Sequence, residues 1–180
     1  MAVYAGLIRA IGPVTHAKMK MAALRDACEQ AGLADVATVG NTGNVIFRFG
    51  GNAAAARKAL QAVVDGFGLG PANEVFVRTP EQMAEVVAAN PFPQAVAERP
   101  SEIGVSSFHE VPADWSPLTR DYRGPEEIAV VGAHLVVAYV PGAASASKLQ
   151  IEKALGARMT QRNWKVFAGL AEKAAALAKG

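Results

Sequence analysis

The chain has 180 residues, of which 51% are hydrophobic and 19% are charged. This composition predicts one large or two small folded domains, and it excludes a wholly disordered chain and a small disulfide-stabilised one. Eighteen basic and sixteen acidic side chains leave a net charge of +2, which is too small to indicate nucleic acid or an acidic membrane as the partner.

The first half of the chain predicts the order β-α-β-β-α-β. Met21, Leu24 and Cys28 recur at the spacing of an amphipathic helix, and Asn52 is a typical cap for a second helix. The predicted elements are strands at 3–9, 36–39, 44–49 and 74–78, a loop at 12–17, and helices at 18–31 and from Asn52 to Gly66. This order is that of the ferredoxin-like arrangement, an antiparallel sheet with both helices on one face.

A second α+β part begins at Thr79, whose hydroxyl, followed by Pro80 and Gln82, is typical of a helix start. Two prolines in Asn90–Pro93 end that helix. The further predicted elements are a loop at 94–100, a strand at 102–109, a hairpin at 126–140 turning at Gly132 and Ala133, a helix from a capping box at 147–150 to Leu155, a short strand at 158–160 and a last helix capped by Asn163. We therefore predict two domains, residues 1–79 ferredoxin-like and residues 80–180 α+β.

No apolar run approaches the roughly 20 residues that a membrane span requires. The first residues also lack the basic start and long apolar stretch of a signal peptide. Cys28 is the only cysteine, so it cannot form an internal disulfide, which agrees with a reducing compartment. We therefore expect a soluble cytoplasmic protein without a membrane partner.

Seven short segments follow one another in a recognisable order and spacing. They are Leu7–Ile11, Lys18–Met21, Thr42–Phe47, Asn90–Pro93, Ser147–Leu149, Glu152–Gly156 and Thr160–Trp164. Together they resemble domain-of-unknown-function family 1697, a family of bacterial proteins of about this length. The resemblance implies a two-part α+β protein whose first part is ferredoxin-like, and it implies no activity.

The chain departs from the family pattern in two loops. Family members usually read Arg-Gly-Ile-Asn-Val-Gly-Gly after the first strand, where this chain has Arg-Ala-Ile-Gly-Pro-Val-Thr from Arg9 to Thr15. The tyrosine-containing strand and Gln-Ser-Gly-Asn turn of the family are here replaced by residues 38–44. A glycine-rich loop supplies backbone donors that can hold an anion, so a family site at this loop would be altered or lost in this chain.

Arg9, Thr42 and Asn44 are the candidate site residues of the first domain. A guanidinium at the end of a central strand must pair with an acid, reach the sheet edge or face a ligand, so structural and functional roles stay open for Arg9. Thr42 and Asn44 could present a hydroxyl and an amide to a ligand. A turn at Gly43 is the favoured explanation for these two residues.

The C-terminal region indicates a site for an anion. From Ser145 to Gly180 there are seven basic residues against two acidic ones, a local net charge of +5. Lys148 is expected in the first turn of one helix and Arg162, Asn163 and Trp164 at the start of the last, where free N–H groups favour anions and the aromatic suits base stacking. In the structural alternative, Asn163 caps the helix, Trp164 fills the domain interface and the lysines are solvated.

The remaining polar residues give weaker indications. Asp114 and Asp121 lie in a long connection at 112–124, where paired carboxylates could serve acid/base chemistry, although an aromatic-anchored loop is the favoured reading. Cys28 is expected to be a core residue and not a nucleophile. No metal site or other cofactor is predicted, because the histidines lack ligand spacing; they are His16, His109 and His134.

Binding of a small anionic, nucleotide-like ligand between the two parts is the leading hypothesis, with Lys148 and Arg162 as anchors. Single-stranded nucleic acid is a weaker version of it, because Phe47 and Phe49 share what we expect to be the helix-covered face of the first sheet.

Two other classes of function stay open. One is a metal-independent enzyme that uses the interdomain cleft, with Arg9, Asp114, Asp121 and Lys148 as its polar groups, although no nucleophile–base pair is recognisable. The other is a homodimeric or partner-binding module built on a sheet edge. The sequence does not reveal the oligomeric state.

Overall fold

Two four-stranded antiparallel sheets organise the protein in the computed structural model, which describes residues 1–180. Eight α-helices accompany the sheets, so the α+β class is confirmed. The chain divides into two compact units, the first formed by Met1–Glu81 with Leu170–Gly180 and the second by Gln82–Gly169. The division predicted between residues 79 and 80 stays a prediction, because compactness does not show which segments fold independently. No helix combines the length and the apolar character needed to cross a membrane.

The first unit alternates strands and helices as predicted, with one additional short helix. Its elements are β1 (Ala2–Ile8), α1 (Pro13–Lys18), α2 (Met21–Gln30), β2 (Ala34–Val39), β3 (Asn44–Phe49), α3 (Ala53–Asp65) and β4 (Val75–Arg78). The strand order is β2-β3-β1-β4, and all neighbours are antiparallel.

The loop predicted at residues 12–17 is wrong, because α1 forms there. Pro13 suits the first position of a helix, and Gly12 N–H donates a hydrogen bond to Thr15 Oγ1 at 2.7 Å. Since α1 extends to Lys18, α2 begins only at Met21, three residues later than predicted.

The apolar stripe predicted for α2 is confirmed as core. Leu24 and Cys28 are fully buried in one cluster with Leu60 of α3 and Phe47 of β3, so both helices pack on the same face of the sheet. A Cβ at Gly6 would overlap Leu60, so the glycine permits the close approach of α3 to β1. Burial raises the pKa of Cys28 to about 12, which fits its place in the core, since a buried thiol of raised pKa is a poor nucleophile.

The second unit is also α+β. Its elements are most of α4 (Pro80–Ala89), α5 (Pro93–Glu98), β5 (Ile103–Phe108), α6 (Ser116–Thr119), β6 (Glu127–Val131), β7 (His134–Ala138), α7 (Ile151–Leu155), β8 (Met159–Asn163) and the first residues of α8 (Trp164–Lys179). The strand order is β6-β7-β5-β8, again antiparallel throughout. The remainder of α8, from Leu170, belongs to the first unit.

The hairpin predicted in the second unit is confirmed. Val131 and His134 pair across a two-residue turn in which Gly132 has a φ of +56°, a conformation that favours glycine. The cap predicted for the last helix is also confirmed, since Val166 N–H donates to Asn163 Oδ1 at 2.9 Å.

Two local predictions for this unit are wrong. The expected loop at 94–100 contains most of α5, because Pro93 is well suited to a first helical position. The expected capping box at 147–150 does not form, and α7 begins only at Ile151. The Ser147 hydroxyl instead donates a hydrogen bond to the carboxylate of Glu126.

Side chains of the second sheet alternate between two faces. One face, which we call the α7 face, packs against α6 and α7. Its apolar cluster includes Phe108, Leu118, Leu135, Ile151 and Met159. On the other, which we call the α8 face, the ring of His134 packs edge-on against Phe167 of α8 with centroids 5.6 Å apart.

Ala10 stands in a backbone conformation that disfavours a side chain. Its φ is +60°, in the left-handed region, which costs an L-residue roughly 1–2 kcal/mol. The residue is exposed, so its methyl group gains no packing in return. The family pattern has glycine at this position.

We expect Ala10→Gly to raise the free energy of unfolding by about 0.5 kcal/mol. Relief of the backbone strain should exceed the roughly 0.4–1 kcal/mol that the freedom of glycine in the unfolded chain costs. Urea denaturation measures the change. The control is Ala62→Gly, at an exposed position of α3, which should lower stability by roughly 0.5–1 kcal/mol. Equal destabilisation by both changes would contradict the prediction.

Candidate functional site

Arg9 and the Thr42–Asn44 turn lie together at one end of the first sheet. The backbone carbonyl of Arg9, just beyond β1, accepts a hydrogen bond from Asn73 Nδ2 at 3.0 Å. The turn is joined to the same end, since Ile8 N–H donates to Gly43 O at 2.8 Å. The structure therefore brings these three predicted site residues into one region.

The side chains of Thr42 and Asn44 have a role within the turn itself. Asn44 is buried, and its Nδ2 donates to Val39 O at 3.1 Å and to Thr42 Oγ1 at 2.9 Å. Gly43 has a φ of +77°, and a Cβ there would lie 2.6 Å from Ile11 Cγ1. These contacts support the turn interpretation.

Lys148 and Arg162 are not brought together on one face of the second sheet. Lys148 is exposed in the segment that leads into α7. Arg162 stands three residues beyond Met159 of the α7 face, so strand alternation directs it to the α8 face. Its Nη1 donates to Thr160 Oγ1 at 2.9 Å and to Gln161 O at 3.1 Å, and burial lowers the pKa of its guanidinium to about 10.

Trp164 and the two aspartates are engaged in structural contacts. Trp164 is 5% exposed, so its ring offers no surface for stacking on a base. Asp114 accepts hydrogen bonds from the N–H and the hydroxyl of Ser116, both at 2.8 Å, and these lower the pKa of Asp114. The hydrogen bond from Arg120 lowers the pKa of Asp121 in the same way. Carboxyl groups with a lowered pKa are poor general acids.

A cavity of about 170 Å³, with both polar and apolar walls, lies on the second sheet beside the start of α8. It is lined by residues of β5 and β8, by the segment just before β5, and by Tyr139 and Ala144, which follow β7. We call it the Gln161 cavity; its polar walls and floor include Ser101, Glu102, Gly104, Tyr139, Gln161 and Asn163.

Gln161 has its orientation determined by two hydrogen bonds and one glycine. Tyr139 OH donates to Gln161 Oε1 at 3.1 Å, and Gln161 Nε2 donates to Ser106 Oγ at 3.1 Å. A Cβ at Gly104 would lie 2.5 Å from Gln161 Cδ. The Gln161 side chain can therefore cross β5 only because residue 104 is a glycine.

A second cavity of about 460 Å³ adjoins the first. We call it the Phe92 cavity; its lining includes Phe92, Pro93, Glu98, Arg99, Glu127 and Pro141. Arg99 connects the two cavities, because its Nη1 donates to Tyr139 O at 2.6 Å and lies 3.7 Å from Glu102 Oε2. Both of those residues line the Gln161 cavity.

A buried carboxylate ties the segment before α7 to the start of β6. Glu126 is 9% exposed and accepts hydrogen bonds from Ser147 Oγ and, at 2.5 Å, from Tyr122 OH. Burial raises the pKa of Glu126, but the hydrogen bonds outweigh it and the net shift is downward. The bond to Glu126 raises the pKa of Tyr122 to about 12. This cluster has a structural role, because neither Glu126 nor Tyr122 has a pKa near neutral pH that would allow it to exchange a proton.

The lowered pKa of Glu126 predicts a loss of stability in acid. A group whose pKa is depressed by folding stabilises the protein above its unfolded pKa, about 4.3 for a glutamate. That contribution is lost as the pH falls through the folded pKa. We therefore expect Glu126→Gln to show a shallower fall in the free energy of unfolding between about pH 5 and pH 3 than the wild type.

Urea denaturation across this pH range provides the measurement. Tyr122→Phe combined with Ser147→Ala removes both donors and should flatten the same part of the curve. A wild-type slope that persists in Glu126→Gln would show that other carboxylates account for it.

Two neighbouring serines of β5 differ in hydrogen bonding although both are fully buried. Ser106 Oγ accepts from Gln161 on the α7 face, whereas Ser107 Oγ on the other face has no hydrogen-bond partner. We expect Ser106→Ala to cost about 1 kcal/mol and Ser107→Ala to be neutral or stabilising, because an unsatisfied buried hydroxyl is itself unfavourable. Denaturant unfolding of the two variants compares them directly, and the opposite ranking would contradict this assignment.

Sequence reasoning did not single out Gly104, Arg99, Tyr139 or Glu126, and it included Gln161 only within a family segment. The available signal was Gly104, because a glycine inside an apolar strand often marks a close approach. The pairing of β5 with β7 and β8 brings Gln161 and the segment after β7 beside Gly104, and no local pattern encodes that pairing. Arg99 and Glu126 lie outside these strands and carry no sequence signal of their own.

Comparison with known proteins first defines the class of fold. The chain is similar to the conserved bacterial protein SP0830 from Streptococcus pneumoniae, with a TM-score of 0.74 and 18% identity over 97% of this chain and 99% of that one. At this identity the likeness shows the fold alone. No curated protein matches the chain.

The family is shown by the sequence. The model of DUF1697, described as a protein of unknown function, matches residues 1–135. The chain therefore belongs to this family, as its sequence segments predicted.

Proposed function

We propose that the protein binds a small anionic, nucleotide-like ligand in the Gln161 and Phe92 cavities of the second unit. The position of Arg99 carries this proposal, because one guanidinium stands in contact with the walls of both cavities. A small cavity next to a larger one that contains a phenylalanine suits a ligand that has an anionic end and an uncharged planar part.

The start of α8 favours an anion in the Gln161 cavity. Asn163, the cap of α8, lines this cavity. The first N–H groups of a helix have no partners within it, and the helix dipole adds positive potential there. The first turn of α8 contains no acidic residue. The negative charge of Glu102 in this cavity is offset, because its carboxylate accepts a hydrogen bond from Gly142 N–H at 2.9 Å and pairs with Arg99.

Charge and volume indicate how the ligand is oriented. Glu98 and Glu127 line the Phe92 cavity and repel an anion there, whereas the half-buried Phe92 can contact an uncharged ring. A volume of 170 Å³ is many times the roughly 10–15 Å³ that one water molecule requires. It therefore accommodates a phosphate or carboxylate group, and the larger cavity accommodates the rest of the ligand.

The proposal changes the anchors that the sequence indicated. It retains Asn163 but uses Arg99 and Gln161 in place of Lys148 and Arg162, which lie apart. The region of Arg9, Thr42 and Asn44 stays a predicted site in the first unit, with its polar groups engaged in the turn.

We also propose a ferredoxin-like arrangement for the first unit. Its β-α-β-β-α-β order with α2 and α3 on one face supports this reading, as does the strand order β2-β3-β1-β4. A cytoplasmic location stays a prediction, supported by the single buried Cys28.

The other functional hypotheses have less support. Phe47 is fully buried and Phe49 is half-buried against the core, which argues against an aromatic platform for nucleic acid on the first sheet. A metal-independent enzyme stays a prediction, although Asp114 and Asp121 have lowered pKa values where a raised one would favour catalysis.

Isothermal titration with AMP, adenosine and inorganic phosphate tests the proposal. We expect AMP to bind with a Kd below about 1 mM. Adenosine should bind at least about tenfold more weakly, and added salt should weaken AMP binding because charge contributes to it. Absence of binding by all three would overturn the proposal, and tighter binding of a labelled single-stranded RNA would favour the nucleic-acid alternative.

A pair of matched substitutions localises the site. Asn163→Asp keeps the capping oxygen of α8 but adds a negative charge to the cavity, so AMP binding should weaken at least about tenfold. Asn52→Asp makes the same change at the cap of α3, where Ala55 N–H donates to Asn52 Oδ1 at 2.9 Å. That control should bind AMP as the wild type does. Equal loss in both variants would place the ligand elsewhere.

A further inference from the structure

Four strands lie at the edges of the two sheets, namely β2 and β4 in the first, and β6 and β8 in the second. Two of these edges have backbone groups occupied by side chains. On β4, Arg78 Nη1 donates to Val77 O at 2.7 Å, and Val75 N–H donates to Gln61 Oε1 at 2.8 Å. On β8, Arg162 Nη1 donates to the carbonyl of the residue before it at 3.1 Å. Occupied groups of this kind are not available to another strand.

The third edge, β2, is irregular. Its register with β3 shifts between Ala34 and Ala37, and Asp35 between them has a φ of +51°. The Asp35 carboxylate also pairs with Arg48 at 2.9 Å. A bulge with a charged residue is a common means of preventing an edge strand from pairing.

The fourth edge, β6, has none of these features. After Glu127 it consists of Ile-Ala-Val-Val, without charge, proline or register shift, and these four residues are only half-buried. Its backbone groups make no hydrogen bond except to β7 and no side chain caps them. A regular, apolar and uncapped edge of this kind is suited to pairing with another strand.

The hairpin determines which groups of β6 point outward. Val131 and His134 flank a two-residue turn, so they form a hydrogen-bonded pair, and such pairs alternate along an antiparallel ladder. Ile128 and Val130 are then non-hydrogen-bonded toward β7. Their N–H and C=O groups point away from the sheet, two donors and two acceptors on an open edge.

We propose that this edge pairs with β6 of a second copy of the chain, antiparallel, about a two-fold axis through Ala129. Ile128 then exchanges both backbone hydrogen bonds with the partner's Val130, and Val130 does so with the partner's Ile128. The two sheets join into one sheet of eight strands. Strand addition at a sheet edge derives its affinity from such main-chain bonds.

The sequence of β6 fits itself in this register. Ala129 faces its own copy at the close, non-hydrogen-bonded position, where Cα atoms stand about 4.5 Å apart and a small side chain fits. Glu127 lies opposite the partner's Val131, so no like charges face each other. Ile128 and Val130 extend the apolar surface of the α7 face into the partner. These features favour a second copy over an unrelated strand.

The mass in solution provides the first test. We expect multi-angle light scattering to give twice the chain mass of 18.7 kDa at micromolar concentration. Ala129→Lys and Ala129→Asp each set like charges face to face, so each variant alone should be monomeric. An equimolar mixture should restore the dimer, which also shows that both variants are folded. A monomeric wild type, or a dimer that survives both substitutions, would overturn the proposal.

Cross-linking tests the register itself. Ala129→Cys places two thiols at the two-fold axis, within the Cα separation of a disulfide, and mild oxidation should give a covalent dimer. Val131→Cys is the matched control, because it faces the partner's Glu127 and lies roughly 13 Å along the strand from its own copy. The native Cys28 is fully buried and does not interfere. Equal cross-linking of both variants would contradict this register.

Discussion

The need to satisfy backbone N–H and C=O groups at the edges of two open sheets accounts for several of the unusual side chains in this protein. Arg78 and Arg162 are basic residues in the last strand of each unit, and each turns back to the carbonyl of the residue before it. Burial lowers the pKa of both guanidinium groups to about 10, so they remain charged at neutral pH. Arg162, which the sequence indicated as a ligand anchor, therefore satisfies a backbone carbonyl at a sheet edge.

In the second unit, the edge strand β8 also contributes a side chain to a cavity. Because Gly104 has no side chain, Gln161 can lie across β5 and reach both Ser106 and Tyr139. The same strand thus directs Gln161 to the α7 face and Arg162 to the α8 face. Gln161 lines a cavity, whereas Arg162, the next residue, donates a hydrogen bond to a backbone carbonyl of the edge strand.

The class of fold and the core could be predicted from sequence because their signals are local. The spacing of three and then four residues between Met21, Leu24 and Cys28 specifies a helix face, and the turn at Gly132 specifies a hairpin. Ser147 illustrates the limit of such signals. It satisfies the capping pattern, but a buried carboxylate 21 residues earlier is a stronger acceptor for its hydroxyl than a helix start offers. Sequence composition likewise grouped Lys148 with Arg162, because a charge count contains no information about strand alternation.

The altered loop after β1 bears on where function resides in this chain. Replacing the family's glycine by Ala10 leaves a strained, exposed residue in the left-handed region. Pro13 also removes a backbone donor that an anion site would use. The Gln161 and Phe92 cavities lie entirely in the second unit and depend on none of these residues. The changes in the first loop therefore do not alter the lining of these cavities, and the proposed binding can be tested in the second unit independently of them.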